Sequence, residues 1–156
     1  MKRKRLKNYN ELNECIEAFV SKWDLYAKFS NQFAFLNDTD TVLWTLATGK
    51  TSAEKFAKFF EDCGCNVKAD IFLYSILHEI GHSQTMEQIS EMDWNYSQDM
   101  KQTELTDEEY FNLPDEIAAT KWAVDYLNNN TEDVKAFWDT FVPLLMKFYM
   151  KNKVEV

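Results

Sequence analysis

Two histidines four residues apart, with a glutamate directly after the first, are the residues of this chain best suited to chemistry. His78-Glu79-Ile80-Gly81-His82 is an H-E-x-x-H motif, and it uses both histidines of the protein. On an α-helix, residues at i and i+4 share a face with Cβ atoms about 5–6 Å apart. That separation lets two imidazoles converge on one zinc ion at roughly 2.0–2.1 Å each. Glu79 then lies beside the ion without being placed to ligate it, where it can take a proton from a metal-bound water as general base. The preceding turns, Ile71, Phe72, Leu73, Ile76 and Leu77, are apolar on almost every side, which predicts a buried helix capped by Asp70. Two histidines and a glutamate at the end of a buried helix carry a large desolvation cost unless something satisfies them. A zinc ion with its outer shell of partners does so, and this favours a metal site over a solvated histidine pair.

Catalytic zinc takes three protein ligands and a water. With no histidine left, the third must be a carboxylate or, failing that, a cysteine or tyrosine. The extended motif H-E-x-x-H-x-x-G-x-x-H is excluded, because Thr85 and Gln88 stand where its glycine and last histidine would be. Glu116 is the leading candidate. It projects from a helix predicted to start near Asn112–Pro114, on a face shared with the small residues Ala119, Thr120 and Ala123 that lets this helix press against the motif helix. Asp115 lies one residue off that face, and Asp93 and Asp99 sit in the segment between the two helices. Cys63-Gly-Cys65 is a weaker metal signal, since C-x-C alone reads more simply as a loop.

Other elements must hold these residues in place. Asn8-x-x-Glu11 reads as a capping box before an amphipathic helix over residues 9–29, built on Leu12, Cys15, Ile16, Phe19, Val20, Trp23 and Ala27. Phe33–Leu36 reads as a strand and Val42–Leu46 as its antiparallel partner, with a short helix capped by Asp40 and ending at Gly49 as the alternative for the second segment. A second capping box, Thr51-x-x-Glu54, opens a helix carrying Phe56, Phe59, Phe60 and Cys63 on one face, with Gly64 at its end. Residues 83–113 lack clear periodicity and are acidic with scattered aromatics; they read either as a wall or lid of a substrate cleft or as a partly helical cover over the core. A last helix, from about Thr131 to Lys151, should be kinked or divided by Pro143.

At 156 residues the chain is one domain's worth, 1–156, with 46% hydrophobic and 15% aromatic residues, enough for a real core. A formal charge of −9 argues against direct nucleic-acid binding. The basic start, Met1–Lys7, is followed by polar Asn8–Glu14 rather than an apolar run, so it reads as a solvated, frayed end and not a signal peptide. No stretch approaches the roughly 18 apolar residues of a membrane span. Three cysteines without a disulfide framework fit a cytoplasmic protein.

His78-Glu-Ile-Gly-His82, followed by Leu113-Pro-Asp-Glu116-Ile-Ala-Ala-Thr-Lys-Trp-Ala123, resembles the ImmA/IrrE-type metallopeptidases. The resemblance spans roughly residues 71–127. It implies a compact, mostly helical α+β zincin-like domain, with His78, His82 and Glu116 as zinc ligands and Glu79 as catalytic base. It also implies a peptide-bond hydrolase acting on an intracellular protein, such as a helix-turn-helix repressor. Tyr74, Tyr96 and Tyr110 are candidates for the oxyanion-stabilising donor such a reaction needs. The competing expectation is a catalytically silent, zinc-stabilised module that binds a protein partner through the aromatics of residues 83–113.

Overall fold

The computed structural model describes residues 7–153; apart from Lys7, the basic start lies outside the described residues. The architecture is mostly helical with one small sheet. Helix α1 (Asn10–Val20) leads to strands β1 (Tyr26–Phe29), β2 (Ala34–Leu36) and β3 (Thr41–Trp44), then helices α2 (Lys50–Asp62) and α3 (Ile71–Thr85). Helices α4 (Glu91–Met100), α5 (Asp107–Phe111), α6 (Pro114–Asn129) and α7 (Thr131–Lys153) complete the chain. This agrees with the expected helical α+β class. Among the described residues no helix is long and apolar enough to cross a membrane.

The sheet is larger than the predicted pair. β2 and β3 are antiparallel as expected, but β1 adds a third strand parallel to β3, giving the order β1-β3-β2. The sequence pattern extends the first helix over residues 26–29, because Trp23 and Ala27 happen to fall on its apolar spacing. The helix in fact tightens into a 3₁₀ turn at Ser21–Trp23 and ends at Asp24, which takes left-handed dihedrals (φ 58°). Short polar Asp tolerates that region better than most residues, and the chain leaves in a new direction. The outer edge of β1 is then covered by α1, since Glu17 accepts the Ala27 N–H at 3.1 Å and Asn13 donates to the Ala27 carbonyl at 3.0 Å. Asn13 also accepts the Trp44 indole N–H at 2.7 Å, tying β3 to the same helix. Among the described residues no side chain hydrogen-bonds the backbone of β2 in the same way, and β2 packs beside α3.

Two helix starts differ from expectation. At α1 the Asn8 side chain accepts the Asn10 N–H at 2.9 Å, but Glu11 reaches away to Lys147, so the reciprocal box does not form. At α2 the N-cap is Gly49, which places Thr51 inside the first turn. Asp70 does cap α3, accepting the Phe72 N–H at 2.9 Å. Residues 83–113 are partly helical: α3 runs on to Thr85, α4 is capped by Ser90, and α5 opens on a Thr106–Glu109 capping box. Helix α7 runs through Pro143 without dividing. The carbonyl that loses its helical partner there, Asp139, is exposed, so water can satisfy it.

Helix α3 is the axis of the core. Phe72, Ile76, Leu77 and Ile80 are buried against Val42 and Trp44 of β3, Ala123 and Leu127 of α6, and Phe141 of α7. Its crossing with α6 is especially close. A Cβ at Gly81 would overlap the backbone carbonyl of Ala119, so the fourth residue of the motif is a glycine because a neighbouring backbone occupies the space. Gly81→Ala should therefore lower stability by about 1–3 kcal/mol, the usual cost of overpacking, seen as a fall of several degrees in melting temperature. Unchanged stability would show that the two helices can separate freely.

Candidate metal centre

The last turns of α3 and the first turns of α6 meet at this crossing, and each contributes what its local sequence dictates. From α3, His78 and His82 emerge one turn apart with ring centroids 4.7 Å apart. From α6, Pro114 at the first helical position and the acidic pair Asp115–Glu116 suit a helix start, where free N–H groups favour negative charge. Glu116 faces both histidines: Oε1 lies 3.0 Å from His78 Nε2, and Oε2 lies 3.1 Å from His82 Nε2. The three donor atoms fall within 4.8 Å of one another, a spacing that a single ion can bridge. His78 is 4% and Glu116 2% exposed, while His82 keeps an opening to solvent.

The donor set fits a metal in chemistry as well as spacing. Two imidazoles and a carboxylate are a known catalytic set for zinc. His78 Nδ1 lies 2.8 Å from the Thr120 hydroxyl. With its proton on Nδ1, His78 turns the Nε2 lone pair into the site, as a metal ligand must. Phe56 of α2 packs edge-on against the His78 ring and fixes its plane.

One residue in the site has no sequence signal. Lys101, at the end of α4, reaches Asp115 Oδ2 at 2.6 Å and Glu116 Oε2 at 3.1 Å. Burial alone would raise the Glu116 carboxyl, but the hydrogen bonds from the two histidines outweigh it and hold it well below the usual carboxylate range. Burial would likewise lower Lys101, yet the Glu116 and Asp115 carboxylates push it above the ordinary lysine value. Glu79 is raised, chiefly by burial, with the histidines opposing. Three carboxylates, Glu79, Asp115 and Glu116, thus share the site with one ammonium. With both imidazoles neutral, a divalent cation would bring the cluster to neutrality.

The alternative ligands are elsewhere. Asp93 and Asp99 are exposed on α4, and Asp115 is committed to Lys101 and to the Glu116 N–H at 3.0 Å. Cys63 and Cys65 belong to the turn after α2, where Gly64 takes φ +94° and the Cys65 thiol donates to the Val67 carbonyl. Among the described residues, His78, His82 and Glu116 are the group of three that could hold an ion. The tyrosines are also separated by the fold. Tyr74 is held by the Val67 carbonyl and the Ala69 N–H, and Tyr96 is exposed on α4. Tyr110 lines the cleft with His78, Glu79 and Glu116, and burial together with the Glu116 charge pushes its phenol up to about 12.

Two cavities flank the cluster and share Phe33 and Glu79. One, of ≈ 330 Å³, is walled by Phe56, Ile71, Tyr110 and Phe111; the other, of ≈ 260 Å³, by Phe35, Trp94, Ile89 and Met86. No family model matches this chain, and neither any curated protein nor any solved structure does.

The charges set a pH signature for the metal-free protein. His82 would be lowered by burial, but its hydrogen bond and attraction to Glu116 raise it above the ordinary histidine value near 6.5. Its contribution to stability is therefore full below about pH 6.5 and is lost as pH rises through the raised value. The depressed Glu116 works oppositely, contributing above about pH 4.3 and losing that contribution on acidification. Metal needs neutral histidines, so the stability it adds should grow with pH. Melting temperatures of zinc-loaded and chelated protein should diverge steadily from about pH 5 to about pH 8. A gap that does not vary with pH would mean the ion is held elsewhere.

Proposed function

We propose that this chain is a zinc-dependent peptidase of zincin-like design, similar to the ImmA/IrrE type, with His78, His82 and Glu116 as ligands and Glu79 as general base. The observation that carries the reading is the place of Glu79. Its carboxyl is not one of the three clustered donors, yet it lines both flanking cavities at the point where they meet. A site serving only to stabilise the fold has no use for a raised, cleft-facing carboxylate there.

A bound zinc would supply Lewis acidity, polarising a scissile carbonyl and bringing the pKa of a water towards about 7. The protein's own groups do the rest. Glu79 accepts the proton of the attacking water and returns it to the leaving amine. Tyr110, held in its neutral form, donates a hydrogen bond to the developing oxyanion. The cavities either side of Glu79 receive the residues flanking the cut, and their Phe, Trp, Ile and Met walls favour apolar side chains. The edge of β2 away from β3, whose Ala34 and Phe35 line one cavity, offers backbone groups to an extended peptide. The resemblance suggests an intracellular regulator of the helix-turn-helix kind as substrate.

Exposed Met92 and Tyr96 on α4, 80% and 53% accessible, favour the second reading, a zinc-stabilised module that docks a partner there. Chelation separates the two. The catalytic reading expects metal-free protein to stay helical and unfold cooperatively, because the core of α1, α3, α6 and α7 is independent of the ion; collapse of the helical signal would support the module. With a mixed-sequence quenched-fluorescent peptide library, metal-loaded Glu79→Gln should keep its zinc but lose about 10²–10⁴-fold in cleavage rate. Tyr110→Phe should lose about 10²–10³-fold. A fully active Glu79→Gln protein would remove this mechanism.

A further inference from the structure

Lys101 presents a question that the ligand set does not answer. A half-buried ammonium beside a metal-binding carboxylate opposes the ion, since like charges a few ångströms apart repel. Its contacts are asymmetric in a way that suggests what it does. Glu116 Oε2 has two partners, Lys101 Nζ and His82 Nε2, both at 3.1 Å. Oε1 has one, His78 Nε2 at 3.0 Å. If both Nε2 atoms are given to an ion, Oε1 loses its only partner while Oε2 keeps the lysine. Lys101 is itself well fixed: Asp115, 2% exposed, holds Nζ at 2.6 Å, and the Tyr110 ring lies beneath it at 5.3 Å. Asp115 in turn is locked by accepting the Glu116 N–H.

We propose that Lys101 is the positioning residue of the metal centre, holding Glu116 Oε2 so that the carboxylate offers Oε1 alone to the ion. This rests on the metal reading given above. The consequence is chemical. Carboxylates bind divalent ions through one oxygen or two, and a two-oxygen Glu116 would give the ion four protein donor atoms with the two imidazoles, so that a bound water would make it five-coordinate. A one-oxygen Glu116 leaves three, and the same water would then complete the four-coordinate arrangement of a catalytic site. The loss of attraction between ion and ligand is offset by Asp115, which balances the lysine charge. Lys101 also joins α4 to α6, so the same contact that seats the insertion against the core sets how many oxygens Glu116 presents.

Cobalt(II) reports this directly, because its visible d–d bands are intense in four-coordinate sites and weak at higher coordination number. The wild-type protein loaded with Co²⁺ should show intense bands, from three protein donor atoms and a water. Lys101→Met should still bind Co²⁺, but with bands severalfold weaker as Glu116 turns to two-oxygen ligation while the water stays. Lys101→Arg, which keeps the donor, should restore the wild-type intensity. Lys101→Met leaves Asp115 buried without its counter-charge, so the double variant Lys101→Met/Asp115→Asn removes the pair together, a change buried pairs tolerate better; it should give the same weak bands. Bands of wild-type intensity in a folded single or double variant would overturn the proposal and leave Lys101 a tie between α4 and α6, with the metal reading intact. Wild-type protein that takes up no Co²⁺ and no Zn²⁺ would overturn the metal reading and this proposal together.

Discussion

The close crossing of α3 over α6 is the constraint on which the rest of the structure depends. Gly81 lets the Ala119 carbonyl approach to a distance no side chain at that position would allow. Because the histidines flank Gly81 on one helix and Glu116 and Thr120 flank Ala119 on the other, the approach of the two backbones also brings the ligand side chains together. Packing and chemistry are therefore one event here. A wider crossing would cost core contacts and, in the same movement, pull the carboxylate away from the imidazoles.

The site that results is electrostatically expensive, and its cost is met locally. Three carboxylates and two imidazoles are gathered where water has limited access, and all but Glu79, which faces the cavities, find a named partner: Thr120 for His78, Lys101 for Asp115 and Glu116, the histidines for Glu116. Buried charge is tolerated in proteins when it is paired and hydrogen-bonded. The arrangement remains one positive ion short of balance, and that ion is what the donor geometry suits. The elements around it divide the labour. The sheet, with one edge covered by α1, supports α3 from behind, while β2, α2 and α5 shape the cleft on the side that Glu79 faces.

Much of the centre was legible because its signal is local. The i, i+4 histidines, the glutamate after the first, the all-apolar turns ahead of them and the Asp70 cap are properties of a single helix, and each appears where the spacing puts it. Glu116 was legible by elimination and by the small face it shares with Ala119 and Ala123, since small residues signal a close neighbour. Other features are products of tertiary contact and left no local trace. β1 was hidden because Trp23 and Ala27 fit a helical period, and the left-handed turn at Asp24 that ends the helix depends on one tolerant residue rather than a Gly or Pro. The helices within residues 83–113 carry capping residues at Ser90 and Thr106, but their apolar faces are too short for a period to stand out. Lys101 lies in that segment with nothing nearby in sequence to mark it. Its partners are chosen by the fold, as is Tyr110 over Tyr74 and Tyr96.

The central claim is that two histidines and Glu116 hold a metal ion between α3 and α6. X-ray absorption at the zinc edge, on protein carrying one zinc per chain, tests it most directly. The account predicts a shell of nitrogen and oxygen alone at about 2.0–2.2 Å with the scattering signature of two imidazoles. A sulfur shell near about 2.3 Å, placing the ion on Cys63 and Cys65, or a zinc with no imidazole around it, would contradict it.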